Sequence, residues 1–495
     1  MNNKQFLDAV HGYISVPEEI CNELVDTCYF QRLRRIEQTS SRSLFPCAHH
    51  DRFVHSLGVF HIGQKILNVI EKQIPDISSA IKQSYLIACL LHDCGHSPFS
   101  HTFEDEFGTP EDLFKYYLEV HQIIQDDPEI LNYKADTLDA KPHEIVSAYL
   151  CVTVFYSKIV KLGGTPSLVG RMIMGVPYNS DDKSLENCFI SLLHGNVVDA
   201  DRLDYVCRDR WALGYMSYPV DIDRLINAIT IQKDKDTGSF QIVYRKNALT
   251  EIQAVIDSKN FQKTQIFMHH QVQYEQYLLR ASVDELMREL LGERPNTSCL
   301  FNYKAFVKPQ KVVEGTNIYL LADDDLVHLM KTHIGDYPLF AEWLSREYEM
   351  IPLWKSRSEF IVLFQNEGGK ELLKMNTLFE SVIKPVVDDY IKGSCLILNG
   401  TPKLDKIVEG DIKVNFGDSI VDYSKLDLPC MTDVYQNQVF KYVYIPRKAN
   451  SKRYQIMNEI RKALAGIHAE KDIRSVESHL KRVNNKPIHI KIIKY

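Results

Sequence analysis

The sequence is short of the features that would set it apart from an ordinary globular chain. Its 11 cysteines are odd in number and scattered, with no CxxC pair. That argues against disulfides and predicts reduced thiols, packed mostly as small apolar groups in a cytoplasmic protein. The N-terminus, Met-Asn-Asn-Lys-Gln-Phe-Leu-Asp, has no signal-peptide core. The longest apolar run, around Leu86–Leu91, ends in His-Asp and is far too short to span a bilayer. A soluble protein with no membrane partner is therefore expected. Repeats and low-complexity tracts are absent, and a net charge of −7 gives no global case for nucleic-acid binding.

What remains is a large, conventionally composed chain. At 495 residues, 45% apolar and 25% charged, it can bury a sizeable core and predicts two or more domains. Charge is uneven: residues 441–495 carry 14 Lys/Arg against 4 Asp/Glu. This stretch reads either as a solvated basic surface or as a contact for phosphates, nucleic acid or an acidic neighbour. The first 300 residues read mainly as helices. Val59, Ile62, Ile66, Val69 and Ile70 make one apolar stripe, Tyr85–Leu91 a buried helix stopping near Gly95, and 250–291 one or two long helices. Past about residue 370, Ser394–Asn399, Ile412–Phe416 and Val439–Ile445 look like short strands, Met457–Ile467 a helix and Pro487–Tyr495 a closing strand. The expected fold is mainly α, with a helical domain over 1–370 and a smaller α+β region over 371–495 that is basic at its end.

Chemistry concentrates early: nine of the 18 histidines fall between His49 and His143. His55 follows Arg52-Phe-Val, His92-Asp93 stands in Leu-His-Asp-Cys-Gly-His, and Asp201 opens Asp-Arg-Leu-Asp-Tyr. Two imidazoles and two carboxylates suit a hard or borderline divalent metal and leave positions open for water and a phosphate oxygen. Arg52, three before His55, can reach the same phosphates. Asp201, Tyr205 and Asp209, spaced by four, share one broad helix face. His96, His101 and His143 are candidate proton donors or acceptors, with Glu104 placed to orient His101. Pro142 can open the helix that carries His143.

The order H…HD…D is that of the HD-domain phosphohydrolases. Six stretches narrow the likeness: Val10-His-Gly-Tyr-Ile14, Asp26-Thr-Cys-Tyr-Phe-Gln-Arg-Leu-Arg34, Phe45-Pro-Cys-Ala48, Arg52-Phe-Val-His-Ser-Leu-Gly-Val59, Leu91-His-Asp-Cys-Gly-His-Ser-Pro-Phe-Ser-His101 and Asp199-Ala-Asp-Arg-Leu-Asp-Tyr-Val-Cys-Arg-Asp209. Leu321-Ala-Asp-Asp-Asp325 adds a seventh. Over roughly residues 8–360 the chain resembles the deoxynucleoside triphosphate triphosphohydrolases of the HD superfamily. The nearest likeness is to the catalytic part of the animal SAM- and HD-domain enzymes and their bacterial relatives, with no SAM domain expected in front. The resemblance implies hydrolysis of a dNTP to deoxynucleoside and inorganic triphosphate. It implies His55, His92, Asp93 and Asp201 as ligands of iron, manganese, zinc or nickel, with magnesium on the triphosphate. It further implies His96 and His143 as catalytic histidines, and Glu104 where the family has a supporting Asp. Arg52, Gln38, Thr39, Arg202, Tyr205, Asp209 and His270 are implied as substrate contacts. Arg202 replaces a common Lys, and Thr39 stands where the animal enzyme has Leu. Asp26, Gln31 and Arg34 match residues that read an activating nucleotide, GTP or a dNTP. A homo-oligomer, from dimer to tetramer or hexamer, is implied too.

Two other readings stay open. One keeps the metal site but acts as a phosphodiesterase or nucleotidase on another nucleotide. The other is non-enzymatic: a nucleotide sensor or nucleic-acid-binding protein using the basic C-terminal region.

Overall fold

In the computed structural model, residues 2–39, 44–120, 125–291, 310–313, 316–333, 335, 337–426, 428 and 437–469 are described. The fold is mainly α, with strands confined to small sheets. Two compact units interleave along the chain. The first comprises Met1–Gln262, Gln276–Ala341 and Leu404–Met431; the second comprises Lys263–Glu275, Glu342–Lys403 and Thr432–Tyr495. A cut at residue 370 thus falls inside one stretch of the second unit. Among the described residues no helix is long and apolar enough to cross a membrane.

The first unit opens with a hairpin, β1 (Asn3–Asp8) and β2 (Gly12–Pro17), paired antiparallel from Asn3↔Pro17 to Asp8↔Gly12. Asp8 Oδ1 accepts from the backbone N–H groups of Val10 and His11 at 2.9 and 2.8 Å, and Gly12 takes the left-handed φ of +72° that closes the turn. The helices of the core follow: α1 (Arg52–Glu71), α2 (Ser79–Leu91), α3 (Pro142–Val152), α4 (Pro166–Met174), α5 (Ser184–Leu193) and α6 (Ala200–Leu213). Asp51, Ser78 and Asp199 cap α1, α2 and α6 by accepting from backbone N–H groups in the first turn. Helix α2 packs against α1, α4 and α5, and α1 also packs against α6. The apolar stripe of α1 is buried, with Val59, Ile62 and Ile70 at 0% exposure. Beyond α6, β3 (Ile229–Lys233) and β4 (Phe240–Arg245) pair antiparallel; Lys413–Asn415 joins β4 in parallel, and Ile420–Asp422 forms the edge. Helix α7 (Leu249–Phe261) comes next.

In the second unit, Lys441–Pro446 lies between Met350–Pro352 and Leu396–Asn399, antiparallel to both. Trp354, fully buried, meets Phe360, Phe364 and Phe379, and donates its indole N–H to the Lys441 carbonyl at 2.9 Å. The strands expected past residue 370 therefore divide between the units. The helix expected at Met457–Ile467 runs as Arg453–Ala469. The strand expected at Pro487–Tyr495 and most of the basic stretch lie outside the described residues.

Candidate active site

Three helix ends converge in the first unit. The first turn of α1 supplies Arg52 and His55, the C-terminal end of α2 supplies His92 and Asp93, and the first turn of α6 supplies Asp201. His55 Nε2 lies 2.9 Å from Asp201 Oδ1 and 3.3 Å from His92 Nε2. Asp93 lies 3.6 Å from His55 Nε2 through Oδ2 and 3.5 Å from His92 Nε2 through Oδ1. His55, His92 and Asp93 are buried, whereas the Asp201 side chain is 37% exposed, so the cluster opens on the Asp201 side. Of these, His55, His92 and Asp201 each offer a ligand atom within 4.8 Å of the other two, a spacing that could hold a metal ion.

The outer nitrogens of both imidazoles are fixed. His92 Nδ1 pairs with the Cys89 carbonyl at 3.0 Å, and His55 Nδ1 with Asp204 Oδ2 at 2.7 Å. Each ring therefore presents Nε2, the arrangement in which a second partner orients a ligating histidine. Asp204 is completely buried and also meets His11 Nε2 at 2.6 Å and Arg208, whose Nη1 donates to Asp8. The hairpin turn of β1 and β2 thus reaches the His55 ring through one carboxylate. Gly58 makes room for this: a Cβ there would sit 2.0 Å from Asp204 Oδ1. Desolvation opposes protonation of His55, but Asp201 and Asp204 outweigh it and raise the imidazole to about 10. Against its own desolvation, Asp93 is held below the usual carboxylate range by Arg52 and His92.

Arg52 donates through Nη1 to Asp93 at 2.8 Å and through Nε to Ser100 Oγ at 3.0 Å. Phe99 and Ser100 take φ values of +53° and +54°, a costly conformation for residues with a Cβ. Phe99 N–H is held by Asp323 Oδ1 at 2.7 Å. That bend turns the chain so that His101 and Glu104 face His96 and His143. Glu104 bridges Nδ1 of His143 at 2.7 Å and Nδ1 of His101 at 2.6 Å. The His96 and His143 rings stack, with centroids 4.0 Å apart. Gly95 permits α3 to approach, since a Cβ there would lie 2.4 Å from the Ser147 nitrogen. Burial, then Arg52 and His143, push the His96 imidazole well down.

On α6, Arg202, the residue after Asp201, donates through Nε to the Tyr205 hydroxyl at 3.3 Å and through Nη1 to the Gly195 carbonyl at 3.1 Å. Asp209 is turned away from solvent and meets His50 Nε2 at 2.8 Å. Gln38 and Thr39 are buried, and Gln38 Oε1 has no hydrogen-bond partner among the described residues. Asp26, Gln31 and Arg34 stand elsewhere. Asp26 pairs with Lys4 at 2.8 Å, Arg34 Nε donates to Gln31 at 2.9 Å, and the Arg34 guanidinium lies 3.4 Å over the Phe53 ring. His270 belongs to the second unit, where Tyr444 donates its hydroxyl to the His270 carbonyl at 2.5 Å. Sequence reasoning assigned nothing to Asp204, His11 or Arg208. The available signal was spacing: Asp204 follows Asp201 by three and so shares its side of the helix.

Residues 52–160 match the HD domain. The chain is 28% identical over 267 residues to the uncharacterized protein YwfO of Bacillus subtilis, covering 54% of this chain and 52% of that one. It is 29% identical over 245 residues to the deoxynucleoside triphosphate triphosphohydrolase SAMHD1 homolog of Dictyostelium discoideum, covering 47% of this chain and 41% of the relative. The matches thus span about half the length of these curated relatives. A phosphohydrolase from Bacteroides thetaiotaomicron shares the fold, with a TM-score of 0.58 over 90% of this chain and 99% of that one at 18% identity. The chain carries an HD domain and is homologous, at modest identity, to deoxynucleoside triphosphate triphosphohydrolases and to bacterial and viral HD-domain proteins.

Proposed function

We propose that the protein is a metal-dependent dNTP triphosphohydrolase that releases inorganic triphosphate and a deoxynucleoside. The observation that carries the reading is the pair of oriented imidazoles, His55 and His92, facing Asp93 and Asp201 beside an independently organised histidine group. The donors fit a divalent cation: two nitrogens with fixed outer partners, two carboxylates, and one open side. Held by His55, His92, Asp93 and Asp201, a divalent cation (iron, manganese, zinc or nickel) would supply Lewis acidity toward phosphate oxygens and offset their charge.

The remaining work falls to the chain's own groups. Arg52, anchored on Asp93 and Ser100, presents a fixed guanidinium to the phosphates. Arg202, the residue after Asp201 on α6, adds a second cation beside the Tyr205 hydroxyl. His143, bound at Nδ1 by Glu104, directs Nε2 to within 4.0 Å of Asp93 and is the proton donor to the leaving sugar oxygen. His96 stacks on His143 and fixes its ring. Glu104 is the positioning carboxylate. A magnesium ion on the triphosphate, an activating nucleotide (GTP or a dNTP) read by Asp26, Gln31 and Arg34, and a homo-oligomeric assembly belong to the same proposal, supported by the likeness to the triphosphohydrolases.

The test is product analysis with each dNTP alone and in pairs, in the presence of divalent metal. Inorganic triphosphate is expected from at least one dNTP, and Asp201→Ala is expected to lower the rate by at least about a hundredfold. Orthophosphate or a linear monophosphate as the first product, or intact nucleotides throughout, would overturn the proposal.

A further inference from the structure

The first unit holds a cavity of about 290 Å³ beside His194–Val198, the segment that leads into α6. None of the proposed metal ligands lines it, nor do Arg52, Arg202 or the histidines around Glu104. The polar groups that do line it are chiefly acceptors. No lysine or arginine is among them, whereas Asp139 and Asp411 are. Asp139 makes no hydrogen bond or ion pair among the described residues. Asp411 accepts from Asn196 Nδ2 and from the Val408 N–H, both at 2.7 Å, which fixes its carboxylate and leaves the Asn196 amide oxygen as a further acceptor. His194 gives its Nδ1–H to the Ile173 carbonyl at 3.1 Å, so Nε2 of the neutral ring is an acceptor too. Gly175, at φ +66°, makes room for that ring, since a Cβ there would lie 2.4 Å from His194 Cδ2. Tyr244 adds an independent observation. It lines the cavity from β4 at 4% exposure, and its hydroxyl has no hydrogen-bond partner among the described residues. A buried hydroxyl without a partner is costly, so this one calls for a ligand.

We propose that this cavity binds a small organic polycation, an alkyl diamine or triamine, with its ammonium groups on Asp139 and Asp411. Two carboxylates with no cation beside them repel a phosphate-bearing ligand and attract a donor-rich, positively charged one. A single metal ion does not fit. Among the described residues the donor atoms of Asp139, His194 and Asp411 do not come within 4.8 Å of one another, as those of His55, His92 and Asp201 do. The positive charge therefore has to be spread along a chain. Val197, Ile242 and Ile412 supply apolar wall for the methylenes between the amines. At the packing density of a protein interior the volume takes an occupant of roughly ten heavy atoms. The inference goes beyond the proposed reaction and does not rest on it. The two places meet at one residue. Gly195 lines the cavity, donates its N–H to Asp199 Oδ2 at 3.2 Å and accepts from Arg202 at its carbonyl.

The experiment titrates spermidine into the full chain by calorimetry at low ionic strength, without nucleotide. One saturable site per chain is expected. Asp139→Asn removes a charge from an exposed side chain and is expected to weaken binding by about tenfold or more. Tyr244→Phe keeps the ring, loses the hydroxyl and is expected to weaken binding by about two- to tenfold. Asp418→Asn makes the same charge change at an exposed residue outside the cavity and is expected to leave binding as in wild type. Butylamine, with one ammonium group, is expected to bind about tenfold more weakly than spermidine, or less tightly still. No saturable binding, an undiminished affinity in Asp139→Asn, or an equal loss in Asp139→Asn and Asp418→Asn would overturn the proposal. Each of these outcomes is read without a hydrolysis assay, so none depends on whether the protein cleaves a dNTP.

Discussion

Asp204 touches no proposed substrate atom, yet three basic groups depend on it: His55 at 2.7 Å, His11 at 2.6 Å and Arg208 at 2.7 Å, all around a carboxylate with no exposure. Two substitutions separate its roles. Asp204→Ala leaves a buried guanidinium half-paired and is expected to cost about 3–5 kcal/mol of stability, read by denaturant unfolding. Asp204→Asn preserves volume but loses the anionic hold on His55; metal affinity should fall by about 10–100-fold with a smaller change in stability. Unchanged affinity in Asp204→Asn would mean that the His55 ring is oriented by packing alone. The candidate ligands were legible in the sequence because their residue types are rare together and chemically specific. Asp204 and His11 were not. Each reads as an ordinary polar residue until the fold brings positions 11, 55 and 204 within one hydrogen-bonded group.

The meeting of α1 and α6 depends on a missing side chain. Gly58 lies in α1, where alanine would ordinarily gain about 1 kcal/mol of helix propensity. Its Cβ, however, would meet Asp204 Oδ1 at 2.0 Å and Arg208 Nη2 at 2.5 Å, both belonging to side chains locked by their ion pair. Overpacking of that kind costs about 1–3 kcal/mol or more and outweighs the propensity gain. Gly58→Ala is therefore expected to lower Tm and reduce retained metal together; a raised Tm would show that propensity decides. Helices such as α1 and α2 were readable from their apolar residues, because burial of one face dominates their stability. The β1 and β2 hairpin was not, since Leu7 is 75% and Tyr13 68% exposed and the alternation that marks a half-buried strand is weak. Lys413–Asn415 was visible as a strand, but its parallel partner β4, about 170 residues earlier, lay beyond any local pattern.

At the scale of the whole molecule, the first unit draws together segments that are far apart in sequence, and Asp323 is one of its ties. It accepts from the Phe99 N–H at 2.7 Å and from the Glu37 N–H at 2.9 Å, while Arg32 nearby donates to the Leu321 and His96 carbonyls. The interleaving of the two compact units along the chain depends on contacts between such distant segments, which no local pattern announces. Burial raises the Asp323 carboxyl from 3.8 to about 7, against the pull of the Phe99 N–H and Arg32. An acid whose pKa is higher folded than unfolded binds its proton more tightly in the native state. Between about pH 4 and pH 7 the native chain then carries a proton that the unfolded chain has lost, so stability falls as pH rises through that window. The slope is at most about 1.4 kcal/mol per pH unit from this one group. Asp323→Asn holds the site permanently neutral with nearly the same shape. The difference in Tm between wild type and Asp323→Asn should shift steadily toward the variant from about pH 4 to pH 7 and then level off. A difference that is flat across this range, or that moves toward wild type as pH rises, would show that Arg32 keeps Asp323 ionised and that the tie between Glu37, Phe99 and Asp323 is an ion-paired one.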